Sequence, residues 1–98
     1  MTIFIKKFGD VLISRQAGKE AYAAFLPTLS DLPDEEAIIV DFSGLNTFSP
    51  SWGDEFLTPL QEKYGDRLVL QDADNPSVVL TIATLEKISG SKFKRPSN

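Results

Sequence analysis

The chain contains neither cysteine nor histidine. Without cysteine there are no disulfides, thiolate nucleophiles, CxxC redox pairs or thiolate zinc sites. Without histidine there is no Ser-His-Asp or Cys-His catalysis, no imidazole-held zinc, and no phosphohistidine relay carried by this chain. Long apolar runs are missing too. The opening MTIFIKKFGDVLIS is interrupted by Lys6, Lys7 and Asp10, so it lacks a signal-peptide core. No run approaches the roughly 20 residues of a membrane span. The expected location is the cytoplasm, with no membrane partner. The six glycines are dispersed and form no phosphate-binding loop. Basic charge is scarce outside the last residues: with Lys92, Lys94 and Arg95 set aside, seven basic residues face fourteen acidic ones, about −7 for Met1 to Ser89. Such an acidic body argues against nucleic acid as a partner.

What remains is one small domain. At 98 residues the chain buries a single core, and 42% apolar with 24% charged residues is globular composition. Thr2 to Phe8 alternates with a period of two and reads as a strand; Gly9-Asp10 reads as a tight turn into a second strand, Val11 to Ile13, closing a hairpin. Ala17, Ala21, Ala24 and Phe25 share one helical face, which predicts a helix from about Gln16 to Leu26 that Pro27 ends or kinks. Ala37 to Phe42 reads as a strand buried on both faces. Ser49-Pro50 is a helix start, because a serine oxygen caps free amides and proline suits the first helical position. Trp52, Phe56, Leu60 and Tyr64 form the apolar stripe of that helix, with Pro59 inside it as an expected kink. Arg67 to Gln71 reads as a strand, and Asn75-Pro76 opens a helix that ends before Gly90. The expectation is an α/β domain over residues 1–89 in the order ββαβαβα, a mixed four-stranded sheet with packed helices, followed by a flexible basic tail, residues 90–98.

Functional readings concentrate in DFSGLNTFSPSWGDE, Asp41 to Glu55, which follows a parallel strand at the pole where ligands of such sheets bind. Ser43, Asn46, Ser49, Ser51 and Asp54 are placed there. A capped loop explains Ser49, and Asp54 and Glu55 suit a helix start, but capping leaves Ser51 unexplained. Trp52 is either core or the anchor of an interface. Asp54 and Glu55 point about 100° apart on a helix and do not converge as an acid-base pair, so no catalytic residue is assigned. Asp41, Asp72 and Asp74 follow successive strands and could gather near a cation, or simply serve turns and solvation; no metal or cofactor is assigned.

At DFSGLNTFSPSWGDEF the chain resembles the STAS superfamily, and more closely the STAS-like domains in which a strand ending DFxG precedes an S-aromatic-x-D-E helix start. Val40-Asp41-Phe42-Ser43-Gly44-Leu45 carries the first part and Ser51-Trp52-Gly53-Asp54-Glu55 the second. The resemblance implies a STAS-like fold. It also implies kinship with bacterial anti-sigma-factor antagonists, whose partner is a histidine-kinase-like ATPase that phosphorylates a serine at this helix start. The expected surface is then Ser43, Asn46, Ser49, Ser51, Trp52, Asp54 and Glu55. Here the family's D-S-S/T-G motif falls on Ser49-Pro50-Ser51-Trp52, with proline at the acceptor position, which leaves Ser51 first and Ser49 second as phosphoacceptor candidates. The leading expectation is a non-enzymatic regulatory module that docks a signalling protein. The alternatives are a small-ligand or nucleotide-binding domain at the same pole and, from a third class, a metal-dependent hydrolase.

Overall fold

In a computed structural model that describes residues 1–96, five short strands and three helices follow one another: β1 (Thr2–Phe4), β2 (Val11–Leu12), α1 (Arg15–Ser30), β3 (Ile38–Asp41), β4 (Thr47–Phe48), α2 (Pro50–Tyr64), β5 (Leu68–Leu70) and α3 (Pro76–Ser89). The expected hairpin does not form. A 3-10 turn over Ile5–Phe8 breaks the first strand, and β1 instead pairs parallel with β3. The reason lies in Phe8. In a continuous strand it would share a face with Phe4, which is 57% exposed; the turn swings it inward against Phe25, Trp52 and Phe56, with ring centroids 6.1, 5.8 and 5.1 Å away.

The mixed four-stranded sheet is likewise replaced. β3 lies between β1 and β5 in a three-stranded parallel sheet, and β2 pairs parallel with β4, a two-residue strand too short to show as periodicity, in a separate ribbon. Each crossover, β1 to β3 and β3 to β5, steps the same way, so right-handed connections put the helices on one face. Burial follows: Ile3, Ile38, Val40, Leu68 and Leu70 are buried, while Ile39 and Val69 on the opposite side are only half-buried. The strand expected to be buried on both faces is therefore covered on one.

α1 runs to Ser30, past the expected end at Leu26. Pro27 lies on the solvent side, where water can take the Ala23 carbonyl that the ring deprives of its amide. The last turn is held by buried Leu29 and by the Ser30 hydroxyl donating to the Pro27 carbonyl at 2.8 Å. α2 continues through Pro59 and packs against both α1 and α3. α3 starts at Asn75-Pro76 as expected, and the Asn75 side chain caps the Ser77 amide at 2.8 Å. The segment expected as a flexible tail is pinned along β5 as far as Lys94. Phe93 is buried, the Leu70 amide donates to the Lys94 carbonyl at 2.9 Å, and the Phe93 amide donates to Glu86 Oε2 at 2.8 Å. The end of that segment, residues 97–98, lies outside the described residues.

Candidate functional site

Between β3 and α2 the chain is tied down on every side. Asp41 Oδ1 accepts the Ser43 amide at 2.8 Å; the Ser43 hydroxyl, then this amide, hold the Asp41 carboxyl below the usual carboxylate range. Beyond Gly44, the Asn46 and Thr47 amides donate to the Asp10 carbonyl of the segment before β2 at 2.8 and 3.0 Å, which aligns β4 with β2. The other side of the loop belongs to α3. Ser77 Oγ accepts the Phe48 amide at 2.8 Å and donates to the Phe48 carbonyl at 3.0 Å, which also takes the Thr81 hydroxyl. Asn75 Nδ2 donates to the Leu45 carbonyl at 2.8 Å and to that of Asn46 at 3.1 Å.

The start of α2 inherits this rigidity. Ser49 Oγ accepts the Trp52 amide at 3.3 Å, the expected cap, and also donates to the Ile13 carbonyl at 2.8 Å. Its own amide donates to Leu12. Ser49 thus fastens α2 to the segment that leads into α1. Ser51, two residues on and half-buried, makes no side-chain hydrogen bond among the described residues. Asp54 and Glu55 lie beyond the first turn and serve an ion pair rather than the helix dipole. Arg15 Nη1 sits 3.0 Å from Asp54 Oδ2 and 3.6 Å from Glu55 Oε1. The hydrogen bond from Arg15, followed by one from the Thr58 hydroxyl at 2.8 Å, holds Asp54 below its ordinary pKa against the opposing effect of burial. The same pair raises the pKa of Arg15.

Trp52 is core, not an interface anchor. It is 1% exposed, stacks on Phe56 at 5.1 Å and touches Phe48 at 5.7 Å. An indole so enclosed has no surface to offer a partner. The other candidates divide among three places. Ser43 lines a cavity of about 340 Å³ with Gly44, Asp72, Asp74 and Asn75. Ser49 and Pro50 border a groove of about 320 Å³ with Thr47, Leu80 and Thr84. Asp54 and Glu55 face α1 through Arg15. Asn46 is exposed, its side chain accepting the Thr47 hydroxyl at 2.7 Å. Among the described residues, no three carboxylates, Asp41, Asp72 and Asp74 included, come together in a group able to hold a metal ion. No described helix is long and apolar enough to cross a membrane.

Residues that reading the sequence did not assign complete the site: Arg15, Asn75, Ser77 and Thr81, together with Gly18 and Gly53. The two glycines had a signal. Each is the fifth residue of a segment that starts with a capping serine, Ser14-Arg15-Gln16-Ala17-Gly18 and Ser49-Pro50-Ser51-Trp52-Gly53. A β-carbon on Gly18 would lie 2.6 Å from the Trp52 carbonyl oxygen, so this glycine sets how closely α1 approaches the site. The hydroxyl and amide clips from α3 had no such signal, because their partners are main-chain atoms about 30 residues away.

No curated protein and no solved structure matches the chain. The family model described as STAS-like domain of unknown function (DUF4325) matches residues 17–78, from the first turn of α1 through the β3–α2 passage to the start of α3. That span covers more than half of the chain and contains the whole Ser43 to Glu55 segment, and a small α/β unit with parallel strands and three helices agrees with it. The chain belongs to this family of STAS-like domains.

Proposed function

We propose that this domain is a non-enzymatic regulatory module that docks a signalling protein through the exposed part of the β4–α2 junction, with Ser51 as its point of phosphate control. The observation that carries the reading is the contrast between the two serines. Both hydrogen-bonding roles of Ser49 are committed to holding α2 in place, whereas the Ser51 hydroxyl has no partner among the described residues. A phosphate on Ser51 would keep the cap intact and lie near the positive end of α2. It would also be one helical turn from Asp54 and Glu55, where it competes for Arg15 and concentrates negative charge on the docking face. A phosphate on Ser49 would instead remove the tether to Ile13. The resemblance to anti-sigma-factor antagonists makes a histidine-kinase-like ATPase the partner to test first.

The test uses wild-type, Ser51→Ala and Ser51→Glu baits in lysate of the native organism with ATP and Mg²⁺, with captured proteins and modified sites identified by mass spectrometry. An ATPase-like protein held by wild type and Ser51→Ala but lost with Ser51→Glu, together with a phosphopeptide containing Ser51, supports the switch. Equal capture by all three discards phosphate control and keeps the docking. Capture by none overturns both.

A further inference from the structure

α3 is apolar on nearly all sides. Its inner face buries Val78, Thr81, Ile82 and Leu85, yet Leu80 and Ile88, on either side of Thr84, are 68 and 76% exposed, and Val79, 51% exposed, lies with Ala83 on the opposite flank. A helix of this kind is normally covered on both sides. The outer face has no acidic group in an otherwise acidic chain: the one acid of α3, Glu86, turns inward to accept the Phe93 amide. Charge is instead split between the ends. Exposed Lys87, followed by Lys92, marks the carboxyl end; exposed Asp72 and Asp74 precede the amino end.

We propose that this face docks a second copy of the chain, with the two α3 helices antiparallel across a twofold axis near Thr84. Three observations select this occupant and orientation. Residue 88 of one copy then lies level with residue 80 of the other, so the protruding Ile88 meets the groove of about 320 Å³ bounded by Thr47, Pro50, Leu80 and Thr84. Knob and hole are both present on one surface, as an isologous interface requires. Second, Lys92 of each copy lies level with residue 76 of the other and approaches its Asp74. A parallel pair would set lysine against lysine and aspartate against aspartate. Third, the helix dipoles oppose one another only in the antiparallel pair. Ser51, Asp54 and Glu55 do not line this groove. Thr47 and Pro50, at the β4–α2 junction, do line it, so the dimer would compete with a docked partner for that part of the junction while involving none of the residues of phosphate control.

Sedimentation velocity over a micromolar concentration series should give a mass moving from the 10.8 kDa chain toward twice that value. Leu80→Asp and Ile88→Asp replace exposed side chains, so circular dichroism and thermal melts should show folded monomers, with dimerisation weakened by about tenfold or more. Lys92→Asp should weaken it, and the double variant Asp74→Lys/Lys92→Asp should restore it. With no native cysteine, Thr84→Cys carries a unique thiol. It should cross-link across the axis on mild oxidation, whereas Val79→Cys should not, because a disulfide needs Cα atoms within about 7 Å. A single 10.8 kDa species at every concentration, a dimer indifferent to Leu80→Asp, or cross-linking through Val79→Cys each overturns the proposal.

Discussion

Gly18 and Gly53 occupy the same place in their helices, the fourth residue after a serine cap, so alanine there should bring the same intrinsic gain, about 1 kcal/mol of helix preference. Their surroundings predict opposite outcomes. A β-carbon on Gly18 would stand 2.6 Å from the Trp52 carbonyl oxygen and 3.0 Å from its Cα. Both are backbone atoms of α2, which Ser49 ties to Ile13 and Ser77 and Thr81 tie through Phe48. Ordinary contact starts at 3.4 Å, so α1 as a whole must retreat by about 0.8 Å, opening the aromatic cluster of Phe8, Phe25, Trp52 and Phe56. Overpacking of this rigid kind costs about 3 kcal/mol. Less the helix gain, Gly18→Ala should destabilise by about 2 kcal/mol, or about 8–16 °C in melting temperature for a domain of this size.

A β-carbon on Gly53 meets only the ends of Leu85, Phe48 and Thr81 at 3.2 Å, and each needs to give a few tenths of an ångström. The small strain roughly offsets the helix gain, and Gly53→Ala should fall within about 0.5 kcal/mol of wild type. Urea unfolding followed by fluorescence of the single tryptophan measures both, and unchanged m-values would show that the difference is one of native stability. A Gly18→Ala protein as stable as Gly53→Ala would refute the argument that the α1–α2 approach is limited by backbone.

Ser49→Ala removes a cap and an interelement tether and should cost about 1–2 kcal/mol, while Ser51→Ala should change stability by less than about 0.5 kcal/mol, both read from the same urea titrations. Equal costs would show that Ser51 also has a structural role. Asp54 has its pKa lowered in the folded state, so its contribution is complete above the ordinary carboxylate range and is lost as pH falls through the folded value. The stability gap between wild type and Asp54→Asn should therefore be flat above about pH 5 and close below about pH 4. Because the Asp54 side chain is 41% exposed, added salt should narrow the gap, and a gap that widens on acidification would contradict the pairing with Arg15.

The helix starts were legible because capping is local chemistry. Ser49-Pro50 and Asn75-Pro76 carry their own instructions within three residues, and the second pair identified α3 as a helix despite its Val, Thr and Ile content. Strand pairing was not legible, because the decisive contacts are distant. Alternation in Thr2 to Phe8 is real, yet Phe8 gains more from Trp52 and Phe56 than from a place in a strand. Leu29 carries α1 past Pro27 for a similar reason, and Phe93 holds the basic segment that composition alone describes as solvated. In the site, Ser49 was read correctly as a cap. Trp52 fits either core or interface by sequence, and only the three rings around it, Phe8, Phe48 and Phe56, decide the matter. Arg15 is 39 residues from Asp54, a separation that no spacing rule spans.

The same ties determine how control at Ser51 would operate. Phe48 is gripped by α3 on one side and paired with Leu12 on the other, Ser49 fastens α2 to Ile13, and Gly18 and Gly53 bring α1 and α3 against the first turns of α2. A segment held at so many points has no second arrangement close in energy, and switches that reorder a loop need one. Phosphate on Ser51 must then act where it stands, by charge and by competition for Arg15, the exposed partner of Asp54 and Glu55. Such a switch changes what can dock and leaves the domain's own structure alone. Ser51→Glu should accordingly leave the amide chemical shifts of β4 and α3 unmoved while shifting those around Arg15 and Asp54. Widespread shifts through α3 would mean that the junction is looser than its hydrogen bonds imply.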